Sequence, residues 1–311
     1  MGSKITIIGA GSVGATIAYT LSNERLATEL VMIDINKKKA DGEVMDILQG
    51  TAFRDPISII SGDYEAAKDS DIVILTSGIA RKPGQTRLDL TRINVGITRD
   101  IAKEIAKAAP NAMYIIVSNP VDILTYVFIK ESGIPEKQII GSGTSLDTAR
   151  LRSLLAEECA INQMNVHAYI MGEHGDSSFV PWSKASIAGV PVEEYYRKYS
   201  PNRDIKFDAD RIINYVRTSG SEIIANKGAT FYAIAVSVVR LCKLLLNAQC
   251  TSTTVSTMMH GEYGLEDVCL SISTIIGPGG AQGRIEIKLA EDEIEKLHYS
   301  AQQLKNIISQ L

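Results

Sequence analysis

Cysteine is scarce in this chain: four among 311 residues, at Cys159, Cys242, Cys250 and Cys269. None forms a CxxC pair or falls at zinc-ligand spacing. That excludes a disulfide framework and a structural zinc site, and leaves reduced thiols as the default. An excess of basic residues is missing too. Lys and Arg number 32 against 36 Asp and Glu, a net charge of −4. Such a chain has no general attraction for nucleic acid or an anionic membrane, so any anion it binds needs a local site. No apolar run is long enough to span a bilayer without charge. The N-terminus leads almost at once into KITIIGAG, without the basic region, apolar run and cleavage site of a signal peptide. Repeats, low-complexity linkers and polar tails are also absent. The expectation is a soluble cytoplasmic protein whose ligands are small molecules.

What is present is the profile of an ordinary globular protein, 45% apolar and 22% charged. The length suffices for one large or two medium domains. Through the first half, short apolar runs alternate with helical patterns. KITIIG (4–9), ELVMID (29–34), DIVILT (71–76) and MYIIVS (113–118) have strand length and are apolar on both faces, which suits a parallel sheet covered by helices. Helical periodicity occupies 13–23, 37–48 and 97–109. The order is βαβ repeated, the doubly wound plan. After about residue 142 the helices lengthen and the strand signals become shorter and more alternating, at 166–172, 269–277 and 283–289. This predicts a nucleotide-binding domain over 1–142 and a mixed α+β domain over 143–311. The last pattern, from Ala290, reads as an amphipathic helix with an acidic start that suits its dipole.

GAGSVG places Gly9, Gly11 and Gly14 at GxGxxG spacing, between a predicted strand and a predicted helix. Gly9 permits a tight turn, Gly11 lets a pyrophosphate approach the backbone, and Gly14 lets helix and strand pack closely. The free amides at the helix start would receive the phosphates. Asp34 follows Gly14 by 20 residues, at the end of the second strand. A carboxylate there accepts hydrogen bonds from the ribose hydroxyls and repels a 2′-phosphate, which argues for NAD over NADP.

Among the histidines, His174 stands out in GEHGD, between small residues just past a strand. His260 and His298 read as surface residues, and His167 as a structural strand residue. A proton-transferring histidine needs an orienter. SLDTARLR supplies Asp147 and, three positions later, Arg150, on one face of a helix. The carboxylate would fix the imidazole tautomer, and the guanidinium could grip a substrate carboxylate with two parallel bonds. An alternative is a solvated helix pair. In VSNPVD, Asn119 follows a strand and Pro120 opens a helix. Asn119 is placed to face cofactor and substrate, or else to cap that helix. Finally, IARKPGQTRLDL (79–90) reads as a loop bearing two arginines, Arg81 and Arg87.

Together GAGSVG, Asp34, RKPGQTRLDL, SNPVD, GTSLDTARLR, MGEHGD and KGATFYAIA resemble the lactate/malate dehydrogenase family over essentially the whole chain, in order and spacing. The resemblance implies a Rossmann domain followed by a mixed catalytic domain, usually as a dimer or tetramer. It implies NAD-dependent, reversible oxidation of a 2-hydroxy acid to a 2-oxo acid. His174 would be the proton donor and acceptor, Asp147 its partner, and Arg150 the clamp on the carboxylate beside the reacting carbon. Arg87 would polarise the reacting carbonyl, brought in by its loop. Asn119 would contact substrate and nicotinamide, and Thr230 would line the substrate pocket. The implied cofactor set is Gly9, Gly11, Ser12, Val13, Gly14, Asp34, Thr76, Gly78, Asn94, Val117 and Asn119. No metal is implied. A nucleotide-binding module that had lost catalysis would lack one of His174, Asp147, Arg87 or Arg150, and all four are present.

Arg81 falls where lactate dehydrogenases usually carry glutamine and malate dehydrogenases arginine. A guanidinium there would match the second carboxylate of oxaloacetate but find no partner on the methyl of pyruvate. On that argument malate and oxaloacetate are the expected substrates. L-lactate dehydrogenase is the alternative, favoured by TRLDL, GTSLDTAR, GEHGD and Thr230. Arg152 and His167 match two positions that bind fructose 1,6-bisphosphate in allosteric bacterial lactate dehydrogenases. Two residues do not establish a phosphate site, so no activation is expected.

Overall fold

The computed structural model describes residues 2–79, 87–202 and 204–311, with Arg87 described by its backbone alone. Strands β1 (Lys4–Ile8), β2 (Glu29–Ile33), β3 (Ser58–Ser61), β4 (Ile72–Leu75), β5 (Met113–Ile116) and β6 (Ile139–Gly141) are all parallel, in the spatial order β6-β5-β4-β1-β2-β3. Helices α1 (Ser12–Glu24), α2 (Lys37–Gly50), α3 (Arg87–Ala108) and α4 (Val121–Ser132) connect them. The strand order reverses between β1 and β4. In a doubly wound sheet, the crevice beyond the strand ends at that point is where ligands bind.

The strand residues divide by period two between two cores. Ile5, Ile7, Leu30, Met32, Ile72, Ile74 and Ile115 pack with Ile17 and Leu21 of α1 and Val44 of α2. Ile8, Val31, Ile33, Val73, Leu75, Tyr114 and Ile116 pack with Ile105 of α3 and Leu124 and Phe128 of α4. Both faces are therefore dry, which is why these segments read as unbroken apolar runs. Each such side chain, fully buried, contributes about 1.5–3 kcal/mol.

The second half begins with α5 (Ser145–Glu158) and a small antiparallel sheet of β7 (Val166–His167), β8 (Ser186–Ile187) and β9 (Val190–Pro191). Helices α6 (Val192–Lys198), α7 (Ala209–Lys227) and α8 (Tyr232–Leu246) follow, then β10 (Thr251–His260), β11 (Glu266–Gly277), β12 (Gly280–Arg284) and α9 (Glu291–Ile308). Strands β10 to β12 are antiparallel and extend the first sheet, Ser256 pairing with Gly141 of β6, so one sheet of nine described strands runs through both halves. No helix among the described residues is long and apolar enough to cross a membrane.

Three expectations shift. The 166–172 strand closes after two residues, because hydroxyls on and before α5 replace its ladder. Ile170 N–H donates to Thr148 Oγ1 at 2.9 Å, and Thr144 Oγ1 donates to the Ile170 carbonyl at 2.6 Å. The strand expected at 283–289 instead begins at Gly280, where a tight turn returns the chain against β11. Helix α3 starts at Arg87, so Arg87–Leu90 is helix rather than loop; RLDL has no breaker, and Asp89 suits the helix start.

Candidate active site

The glycine loop has the geometry its spacing implies. Gly9 has φ +110°, and a Cβ there would lie 2.7 Å from Thr76 Oγ1. A Cβ on Gly14 would lie 1.9 Å from the Gly9 carbonyl oxygen, so only glycine lets α1 approach β1 this closely. Gly11 faces open space instead: nothing lies within 4 Å of its would-be Cβ. This is a cradle that a phosphate can enter, at the first residues, Ser12 and Val13, of a helix with no side-chain cap on its free amides. Asp34 follows β2, and its Oδ2 accepts the Ala10 N–H at 2.6 Å while Oδ1 accepts the Asn36 N–H at 2.8 Å. The carboxylate is thereby aimed at the loop with lone pairs remaining for ribose hydroxyls. These residues fit a dinucleotide.

A cavity of about 540 Å³ opens beside this loop. Val13, Thr76, Gly78, Asn94, Val117 and Asn119 form the part near the ends of β4 and β5, and Asp147, Arg150, His174 and Thr230 the part toward the second half. Thr76 turns its hydroxyl onto the Gly9 carbonyl at 2.9 Å, bracing the turn. Asn94 is buried on α3 and its amide is fully engaged. Oδ1 accepts the Ile79 N–H at 2.9 Å, and Nδ2 donates to the carbonyls of Asn119 at 2.8 Å and Ile79 at 3.3 Å. One side chain thus ties the ends of two neighbouring strands. Asn119 precedes a cis Pro120, and its Oδ1 accepts the Val121 N–H at 3.3 Å. Helix α4 begins one residue later than the sequence suggested, at Val121.

Helix α5 brings Asp147 and Arg150 to the cavity, the Asp147 side chain 8% and the Arg150 side chain 14% exposed. His174 arrives from the other direction, on the turn after Gly172. Asp147 Oδ2 lies 2.5 Å from His174 Nδ1, and Asp147 Oδ1 accepts from Arg150 Nη1 at 3.0 Å. The Asp147 charge beside it drives the His174 pKa up to about 9 against the opposing effect of burial. Burial alone would raise the Asp147 carboxyl, but His174 and Arg150 outweigh it and hold it below the usual range. With Nδ1 bound to the carboxylate, Nε2 is left for proton exchange. A Cβ at Gly220 of α7 would come within 3.4 Å of Arg150 Nη2, so the glycine keeps that guanidinium edge accessible.

Arg81 lies outside the described residues, as does the Arg87 side chain, so their contacts enter no part of this geometry. Arg152 donates through Nε to the Ala168 carbonyl at 2.9 Å and stacks on Tyr169, while His167 is exposed on β7. His260 is an exposed residue at the end of β10, paired with Glu136 at 2.8 Å. The four cysteines are all free. Several cavity residues were not anticipated: Ser178, Arg217, Gly220, Ser221 and Ile224. They come from a long amphipathic helix and a turn with no motif of their own. Asp122 was also missed, although it sits inside VSNPVD; its Oδ2 accepts the His174 backbone N–H at 2.7 Å.

Residues 3–141 match the family model of the lactate/malate dehydrogenase NAD-binding domain, and residues 144–311 that of the lactate/malate dehydrogenase alpha/beta C-terminal domain. The chain is 46% identical over 308 residues to the L-lactate dehydrogenase of Acetivibrio thermocellus, covering 99% of this chain and 97% of that protein. It is 43% identical over 311 residues to L-lactate dehydrogenase 1 of Clostridium acetobutylicum, covering 99% and 98%. Among solved structures, the minor L-lactate dehydrogenase of Enterococcus mundtii in its ligands-bound form superposes with a TM-score of 0.94, at 40% identity over 100% of this chain and 98% of that one. These relatives overturn the expectation of malate and oxaloacetate, which rested on Arg81 alone. A single loop charge selects a dicarboxylate only if it is desolvated against the bound substrate, and the full-length likeness is to lactate dehydrogenases. With both of its halves matched and relatives this similar along their whole length, the chain belongs to the lactate/malate dehydrogenase family.

Proposed function

We propose that the protein is an L-lactate dehydrogenase, interconverting pyruvate and L-lactate with NAD. The reading is carried by the His174–Asp147–Arg150 cluster, which faces a cavity continuous with the NAD-binding strand ends. The relatives named L-lactate dehydrogenase support the substrate. The cavity wall contributed by Ile224, Thr230 and Ile234 suits a methyl group, which needs no charged partner.

NAD supplies or accepts the hydride when bound. Gly9, Gly11 and Gly14 shape the phosphate cradle, Asp34 receives the ribose, and Val13, Thr76, Gly78, Val117 and Asn119 border the part of the cavity that admits the nicotinamide. Arg150, braced by Asp147, grips the substrate carboxylate and orients it. His174 in its protonated form delivers a proton from Nε2 to the oxygen of pyruvate, and as neutral imidazole removes it from lactate. Asp147 keeps Nδ1 protonated and stabilises the imidazolium. Arg87 is assigned to the reacting carbonyl, where a cation stabilises developing negative charge. Thr230 lines the substrate side. We read the chain as a homo-oligomer, on the exposed Tyr19, Met45, Leu48 and Phe53 of one half. We place it in the reducing cytoplasm, on its four free thiols.

The test is an assay of pyruvate with NADH, with chiral resolution of the product. Formation of L-lactate supports the reading; no turnover, or D-lactate, contradicts it.

A further inference from the structure

Helix α7 borders the cavity with one face, formed by Arg217, Gly220, Ser221 and Ile224 at positions i, i+3, i+4 and i+7. The middle of that face is nearly bare. Gly220 lies in the interior of a 19-residue helix, where glycine is less stable than alanine. The fold does not require it. Outside its own helix, the three atoms nearest to a Cβ built there all belong to the Arg150 guanidinium, at 3.4, 3.9 and 4.0 Å, which are ordinary contact distances. At Gly14, by contrast, a Cβ would strike the Gly9 carbonyl at 1.9 Å. Gly220 therefore keeps space open beside the clamp rather than satisfying packing. Ser221 widens the same space. Its hydroxyl turns back to donate to the Thr218 carbonyl at 2.7 Å, so its donor is engaged on its own helix. Three residues on, Ile224 lines the cavity yet is 49% exposed.

A 2-oxo acid in this cavity has three of its directions assigned. Arg150 holds the carboxylate, His174 faces the oxygen, and the strand ends admit the nicotinamide. The fourth direction, that of the substituent beyond the reacting carbon, is left to the wall of Gly220, Ser221, Ile224, Thr230 and Ile234. The two smallest members of that wall leave room beyond a methyl group. We propose that it is a subsite for longer apolar side chains, so that the protein reduces 2-oxobutanoate and 2-oxopentanoate about as well as pyruvate. The inference deepens the L-lactate dehydrogenase reading and rests on it. Charge argues against a second acid at the far end of the chain. Arg217 is the cation of this α7 face, and its Nη2 already donates to the Ser178 carbonyl. The carboxylates of Asp176, Asp210 and Glu173 also act on its charge. A dicarboxylate would compete with those groups. An alkyl chain instead covers Ile224 and Ile234 and removes apolar surface from water. Gly220 sets the width beside Arg150, and Ser221 the reach toward Ile224. Both select the substrate and take no part in the chemistry.

The experiment compares steady-state kcat/KM, with NADH, for pyruvate, 2-oxobutanoate and 2-oxopentanoate. A pocket closed against one further methylene rejects it by about tenfold or more. Wild type should therefore keep both longer acids within about tenfold of pyruvate; a larger drop for either would overturn the proposal. Ser221→Leu fills the open part of the wall. It should lower the ratio of kcat/KM for 2-oxopentanoate to that for pyruvate by about tenfold or more. Gly220→Ala should move the same ratio in the same direction by a smaller factor. The ratio is the readout because a displaced Arg150 or a loosened helix would depress both substrates alike. A ratio that stays at the wild-type value in either variant would overturn the proposal. Should Ser221→Leu fail to fold, Gly220→Ala carries the test, since alanine favours the helix. Failure of the L-lactate dehydrogenase reading looks different. Wild type would then leave pyruvate untouched or yield D-lactate, whereas failure of the subsite is normal pyruvate turnover with the longer acids refused.

Discussion

His174 Nδ1 and Asp147 Oδ2 are 2.5 Å apart, and the Asp147 carboxylate behind that contact is nearly buried. An imidazolium so paired keeps its proton to higher pH than a free histidine. The pH dependence follows with a definite sign. Pyruvate reduction needs protonated His174, so its kcat/KM should hold at neutral pH and fall as pH rises through about 9. Lactate oxidation needs the neutral ring and should rise through the same range. The paired profiles check this; a limb near the ordinary histidine value of about 6.5 would show that Asp147 does not hold the charge.

Removing the proton carrier should separate chemistry from binding. His174→Asn should reduce turnover by about 10²–10⁴-fold or more, while NADH affinity, read by nicotinamide fluorescence, stays near wild type. Near-normal turnover would mean that another group carries the proton.

Asp34 should set the cofactor. Its two oxygens already hold the Ala10 and Asn36 amides, so the carboxylate is fixed where a 2′-phosphate would have to fit. We expect kcat/KM with NAD to exceed that with NADP by at least an order of magnitude, and Asp34→Ser to narrow the gap. Equal values in wild type would misplace Asp34 relative to the ribose.

Asn94 offers a test of architecture. Its amide joins Ile79 to Asn119. Asn94→Ala leaves those backbone groups to find water; Ile79 is 37% exposed, which softens the loss. A cost of about 1–2 kcal/mol is expected, a fall in Tm of several degrees, together with reduced kcat because both strand ends border the cavity. An unchanged melting curve would show that the tie carries no weight.

Much of this arrangement was legible in the sequence, and for a physical reason. A strand buried on both faces must be apolar throughout, so β1, β2, β4 and β5 announced themselves, whereas the edge strand β3, with only Ile59 buried, did not. Gly9, Gly11 and Gly14 are held by backbone geometry that few other residues tolerate. Asp147 and Arg150 share a helix face by spacing alone. What stayed hidden depends on partners distant in sequence. The strand after Val166 ends early because hydroxyls of Thr144 and Thr148 take over its backbone bonds. Asp122 went unremarked within VSNPVD, because the backbone N–H it accepts from, that of His174, lies 52 positions along the chain. Gly220 and Ser221 carry no motif, and only the position of α7 puts them at the cavity. Substrate choice was misread because a single loop arginine was weighed by its charge, without the surroundings that decide whether that charge meets the substrate.

The most direct test is therefore substrate preference. Steady-state kcat/KM should be measured for pyruvate and for oxaloacetate, with NADH, on the same preparation. The lactate dehydrogenase reading predicts that pyruvate is the better substrate. A clear preference for oxaloacetate would contradict it.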